Sequence, residues 1–167
     1  MPARLSIALI AAAAIAVVLA FAAAVSRDDG DAARQARVTR VVDGDTITVS
    51  LAGRRERVRL IGIDAPEISH DGTPSDCYGR AATRLLRRLA DDRTVEVHPG
   101  REQRDRYGRL LAYVTVRGAA DDLQTTLLRE GAARTLEIFP NTANAARYAE
   151  LAATARTHGR GLWGACE

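Results

Sequence analysis

The order of apolar and polar positions divides the chain into three stretches. Leu5 to Val25 carries no charged residue and is almost wholly Ala, Val, Leu and Ile, with Arg4 ahead of it. As a helix rising about 1.5 Å per residue it would be roughly 30 Å long, enough to cross a bilayer. A run apolar on every face at a chain terminus is not the pattern of a core helix, which shows one apolar stripe. Residues 1–25 therefore read as an N-terminal hydrophobic export or anchor helix. It is either a signal peptide, with small-residue sites such as Ala20-Phe21-Ala22, or a membrane anchor. Arg4 on one flank and Asp28, Asp29 and Asp31 on the other keep the amino end in the cytoplasm and direct the remainder outward. Residues 26–36 lack apolar periodicity and read as a disordered linker. Residues 37–167 then form one domain around one core.

Within that domain, Val38 to Val42 and the alternating run Thr46 to Leu51 predict two strands around the turn Asp43-Gly44-Asp45. Arg55 to Ile63 predicts a third strand of a meander. Ala82, Leu85, Leu86 and Leu89 fall at helical spacing, so Gly79 to Ala90 predicts an amphipathic helix. Thr94 to His98 and Leu110 to Val116 supply two further strands. Asp121 or Asp122 caps a short helix with Leu123 and Leu127 inward, ended by Gly131. Tyr148, Leu151, Ala152 and Ala155 give a third helix, stopped at Gly159. The pattern is α+β, mainly β: five strands and three helices. Periodicity alone fits a small closed barrel and an open antiparallel sheet equally well.

Composition adds three constraints. All 24 basic residues are arginine, and the net charge of +3 is too mild to identify a nucleic-acid partner by itself. His70, His98 and His158 fall outside every pattern that carries chemistry. Cys77 and Cys166 are the two cysteines, and an exported chain with an even count is a candidate for one disulfide.

Candidate chemistry concentrates in Val58 to Glu67 and in the turn around Asp45. Asp45, Asp64 and Glu67 would repel one another if they converged, so convergence requires a cation or an arginine partner. Carboxylate and carbonyl oxygens suit a hard divalent ion. The plainer reading is that Asp43-Gly44 is a hairpin turn and Asp64-Ala65-Pro66 a strand terminator. Strict alternation sends Arg59 and Asp64 to opposite faces, so a shared site demands that the strand bend or end near Gly62.

A third motif, Asp105-Arg106-Tyr107-Gly108-Arg109, sets a second arginine at a strand entrance. Together with Val41 to Thr46, Arg59 to Glu67, Tyr78-Gly79, Leu111 to Val114 and Gly161-Leu162-Trp163, it resembles the thermonuclease or staphylococcal nuclease-like family. These motifs run in family order from about Arg37 to Trp163. The resemblance implies a five-stranded OB-fold barrel with three helices. It implies a metal-dependent nuclease that cuts DNA and RNA, single-stranded or unpaired, and leaves 3′-phosphate ends. Asp45 and Asp64 are implied as side-chain ligands of Ca2+, with Mg2+ as the alternative, and the Ala65 backbone carbonyl as a main-chain ligand. The resemblance implies that Glu67 acts on the attacking water as general base or orienting group. It likewise implies that Arg59 and Arg109 clamp the phosphate and that Arg106 and Tyr107 meet the bound nucleotide, although a tyrosine packed on the turn explains Tyr107 as well. Asp43 shapes the turn or reaches the metal through water.

The expected enzyme is extracytoplasmic, secreted or held to the cell membrane through residues 5–25, and a monomer. The competing reading is a catalytically silent OB-fold module that binds single strands. Arg84, Arg87 and Arg88 read most simply as the wet face of the first helix, and Trp163 as a core plug. Phe139-Pro140 matches a family turn whose proline can be cis. Leu136 and Ile138 stand where family members place base-stacking tyrosines, which predicts weaker substrate affinity, since stacking contributes roughly 1 to 3 kcal/mol per base.

Overall fold

The computed structural model describes residues 33–69 and 72–166. The expected leader, most of the expected linker, and His70 lie outside the described residues. Elements follow in the order β1 (Arg34–Val41), β2 (Thr46–Leu51), β3 (Arg54–Leu60), β4 (Gly62–Asp64), α1 (Gly79–Ala90), β5 (Thr94–Arg104), β6 (Leu110–Val116), α2 (Leu123–Arg129), β7 (Arg134–Leu136), α3 (Ala145–Thr157) and α4 (Leu162–Ala165).

Five strands close a barrel in the order β1-β2-β3-β6-β5, with β5 returning to β1. All neighbours are antiparallel except β3 and β6, which run parallel with Arg59 opposite Leu111. This is a mainly β barrel consistent with the OB-fold, as the resemblance implied. Strand alternation fills its interior with Val38, Ile47, Val49, Val58, Val95, Val97 and Val114. In β1 the buried positions run 36, 38, 41, because a bulge between Val38 and Arg40 shifts the phase by one.

Helix α1 matches the expected bounds and lays Ala82, Leu86 and Ala90 on the core. Asp122 caps α2 by accepting from the Thr125 amide at 2.6 Å. The buried Gln124 amide joins α2 to β6, accepting from Val114 N and donating to the Ala112 carbonyl.

Several expectations need correction. Residues 34–36, placed in the linker, are strand and pair with Val95 to Val97. The third strand stops at Leu60, and its last residues form a separate strand β4 that pairs with β7. Strand β5 continues past His98 to Arg104, its irregular stretch after Pro99 held by Asn141, whose side chain bonds both the N–H and the carbonyl of Glu102. The Phe139-Pro140 bond, by contrast, is cis, as the resemblance allowed. Trp163 is not a core plug: it is half-buried, with the Arg134 and Arg156 guanidinium carbons 4.2 and 5.4 Å from its ring centre.

Candidate active site

The turn between β1 and β2 is shaped from within: Asp43 Oδ1 accepts from the Asp45 amide at 3.1 Å. Gly44 is required there, since a Cβ would fall 2.5 Å from the Ala65 Cβ. That close approach seats the turn on the segment after β4. Asp45 consequently lies where three segments cross. Its carbonyl accepts from Leu60 N, Oδ1 accepts from Thr46 Oγ1 at 3.0 Å, and Oδ2 accepts from Ala65 N at 2.9 Å.

The break between β3 and β4 brings Arg59 onto the same side as Asp64. Gly62 has φ +84°, and a Cβ at that position would meet the Tyr148 ring at 2.7 Å, so glycine answers both the backbone and the packing. The Arg59 guanidinium fills the inside of the bend. Nη1 donates to the carbonyls of Leu60 and Ile63 at 2.9 and 2.7 Å. Nη2 donates to Asp64 Oδ1 at 2.9 Å and lies 3.2 Å from Asp45 Oδ2. The Arg59 and Asp45 side chains are 7% and 4% exposed, whereas Asp64 is 55% exposed and open to a ligand.

Burial pushes the Asp45 carboxyl up to about 7, offset by Arg59 and reinforced by Asp43. Glu67 is also held above its ordinary range, first by burial and then by the charges of Asp43 and Asp64, with Arg59 opposing. Asp43, Asp45, Arg59, Asp64 and Glu67 thus share one electrostatic field. An acid shifted toward neutrality beside other carboxylates is suited to proton transfer.

Glu67 borders a cleft of about 340 Å³ that Asp64, Asp76, Arg134 and the Cys77–Cys166 disulfide also line. The expected disulfide is present and ties the C-terminal segment to the wall of this cleft. Sequence reading missed two cleft residues. Asp76 brackets Glu67, accepting from its amide through Oδ2 at 3.1 Å and donating its own amide to the Glu67 carbonyl at 3.0 Å. Arg134 stands opposite Asp64 in the β4–β7 pair.

Arg109 occupies the β5–β6 turn, where Asp105 organises the loop. Asp105 Oδ1 accepts from the amides of Tyr107 and Arg109, and Oδ2 accepts from Arg109 Nε at 2.7 Å. Leu111 is opposite Arg59, so Arg109 enters two residues, roughly 7 Å of strand, before that level. Tyr107 is exposed at 66%, with the guanidinium carbons of Arg106 and Arg109 4.7 and 5.4 Å from its ring centre.

Among the described residues, no group of three or more His, Cys, Asp or Glu is disposed to hold a metal ion. The two carboxylates expected as ligands nevertheless converge on one positive centre, the Arg59 Nη2. Oxygen donors, one buried and one open to solvent, fit a hard divalent ion that keeps positions for water or a phosphoryl oxygen.

A five-stranded barrel whose surface carries two carboxylates, a buried guanidinium between them and an acidic cleft beside them defines a protein equipped to pair a cation with an anionic ligand. Comparison with known proteins makes the class specific. The model of the family described as Staphylococcal nuclease homologue matches residues 57–165, and the chain belongs to that family. It is 42% identical to the thermonuclease of Staphylococcus intermedius over 105 residues, 62% of this chain and 61% of that protein. It is 33% identical to the thermonuclease of Staphylococcus hyicus over 127 residues, 76% of this chain and 74% of that one. Endonuclease YncB of Bacillus subtilis is 38% identical over 105 residues, covering 62% of this chain and 49% of its own. The chain spans about half to three quarters of the length of these relatives; the expected family stands on the match, and all three relatives carry the name of a nuclease.

Proposed function

We propose that the chain is an extracytoplasmic, calcium-dependent nuclease that hydrolyses the phosphodiester bonds of DNA and RNA without regard to the sugar. The observation that carries the reading is the shared hold of Asp45 and Asp64 on one positive centre, with Glu67 bordering the adjoining cleft. Family membership gives that geometry its substrate class.

Asp45, Asp64 and the Ala65 carbonyl would hold the ion, which supplies charge against the phosphoryl oxygens when bound. Calcium suits the set better than magnesium, because a wider and more flexible oxygen shell tolerates one buried and one exposed carboxylate. Glu67, with its proton affinity raised, receives the proton of the attacking water or orients that water, while Asp76 fixes the Glu67 backbone from both sides. Arg109 and Arg59 present planar guanidinium groups to the phosphate. Arg106 and Tyr107 flank Arg109 on an exposed turn where an unpaired nucleotide can lie.

The leader Leu5 to Val25 supports export, with secretion or anchoring as its result, and a disulfide agrees with an oxidising compartment. The domain, residues 37–167 with the strand residues before them, acts as a monomer and yields 3′-phosphate ends.

Digestion of single-stranded DNA and of RNA by the purified chain, in calcium, magnesium and chelator, tests this beside Glu67→Gln. Cleavage only with metal, lost by a factor of about 10² or more in the variant, is expected. Strands bound but uncut in calcium would sink the enzyme reading and favour a silent binding module.

A further inference from the structure

We propose that the solvent face of α1, with Ile68, Ser69 and Ser75 before it, forms a second nucleic-acid site, a groove that holds strand phosphates away from the cleaved linkage. The inference rests on the reading that the substrate is a nucleic-acid strand. Arg80, Arg84 and Arg87 share one face of α1 at spacings of four and three, and with Ser69 and Ser75 they line a groove of about 330 Å³. From Arg80 to Arg87 the helix rises about 10 Å, a reach sufficient for more than one phosphate.

Among the described residues, these arginines donate to no other side chain. All three are exposed, and among the described residues none makes an ion pair. Four other exposed arginines are paired, Arg37 with Asp92, Arg104 with Glu56, and Arg129 and Arg147 with Asp121, whereas Arg54, Arg93 and Arg117 form no ion pair among the described residues; what sets the α1 arginines apart is that three of them line one groove. Helix α1 contains four arginines and no acidic residue. A favourable end-of-helix interaction accounts for Arg87, which lies in the last turn. It cannot account for Arg80, which stands in the first turn, where the helix dipole disfavours a cation and no acidic residue compensates. Positive charge retained at that cost, beside two others on the same face, is explained by a polyanion.

Position supports the same occupant. The loop between β4 and α1 turns Glu67 and Asp76 to the cleft, while their chain neighbours Ile68 and Ser75 line the groove. One loop therefore separates the two. A strand reaching past an acidic cleft needs an attractive surface beyond it, and the arginine face provides one.

The test uses fluorescence anisotropy of a labelled single-stranded oligonucleotide, with the full chain in chelator across a salt series. Each phosphate contact on a single strand contributes about 0.7 to the slope of log affinity against log salt. The triple variant Arg80→Gln, Arg84→Gln, Arg87→Gln should lower that slope by about 1.4 to 2 and weaken binding at least tenfold at low salt. A charge-matched control, Arg54→Gln, Arg93→Gln, Arg117→Gln, should change far less. A dinucleotide diester, too short to span both sites, should be cut by the groove variant at the wild-type rate. Unchanged slope and affinity in a variant with wild-type circular dichroism, or an equal fall in the control, would overturn the groove. A wild-type chain that binds with the steep slope but cuts nothing would leave the groove standing and remove the nuclease reading instead.

Discussion

Arg59 and Arg109 were expected to play the same part at the phosphate, yet their surroundings predict different consequences of losing them. Arg59 makes two hydrogen bonds to carbonyls of buried residues and bridges Asp45, which is 4% exposed, to Asp64. Arg59→Ala leaves the buried Asp45 without its positive partner and removes the guanidinium donor from two carbonyls. Removing one member of a buried pair typically costs about 3 to 5 kcal/mol, against a total stability of roughly 5 to 15 kcal/mol for a domain. Arg109 pairs with Asp105 at a partly exposed turn, and Arg109→Ala should cost only about 1 kcal/mol. In catalysis both should lose about 10² to 10³ in kcat, the range for removing one preorganised donor to developing charge. Urea unfolding followed by far-ultraviolet circular dichroism, beside single-stranded DNA cleavage at a temperature where both variants are folded, separates the two effects. A midpoint for Arg59→Ala no lower than that of Arg109→Ala would refute the claim that the guanidinium holds the β3–β4 bend.

Two further outcomes follow from the same site. Asp45 keeps its proton up to about 7 when folded but loses it near 3.8 when unfolded, so between those values the folded chain binds more protons. In chelator, stability should therefore fall as pH rises through that window by more in the wild type than in Asp45→Asn, and parallel urea midpoints would contradict the shift. Replacing both Cys77 and Cys166 with Ser removes a link across 89 residues and should cost about 4 to 5 kcal/mol in the chain-entropy model, read as a lower Tm, and unchanged melting would count against it.

How far the fold was legible depended on the length and regularity of each segment. Helix α1 and strand β6 were bounded correctly because their apolar periods are unbroken and punctuation flanks them. Strand β7 offered no such signal: Arg134, Thr135 and Leu136 are all exposed, and three residues contain no period. Strand β5 was cut short at Pro99 and Gly100, ordinary strand breakers. Its continuation depends on the Asn141 side chain substituting for regular pairing, which no local pattern shows. Asp76 was missed for a related reason, since its hold on Glu67 exists only once the loop closes. Trp163 was misplaced because apolar bulk predicts burial, whereas two guanidinium groups provide an alternative for an indole ring.

The most informative residue in the sequence was a glycine. Arg59 and Asp64 are five residues apart, and a continuous strand would hold them on opposite faces. Gly62 was the visible sign that the strand stops, and the stop turns a repulsive acidic pair into a bridged one. The bridge is incomplete as electrostatics, because Asp45 is still pushed up to about 7 with Arg59 only 3.2 Å away. Burial outweighs what one guanidinium, shared among four acceptors, returns to that carboxylate. The fold therefore positions Asp45 where additional positive charge is favourable and places the exposed Asp64 beside it, where the proposed function would have a cation arrive from solvent. Folding and chemistry draw on the same bend, so a substitution that straightens β3 should abolish ion binding even when every expected ligand is kept.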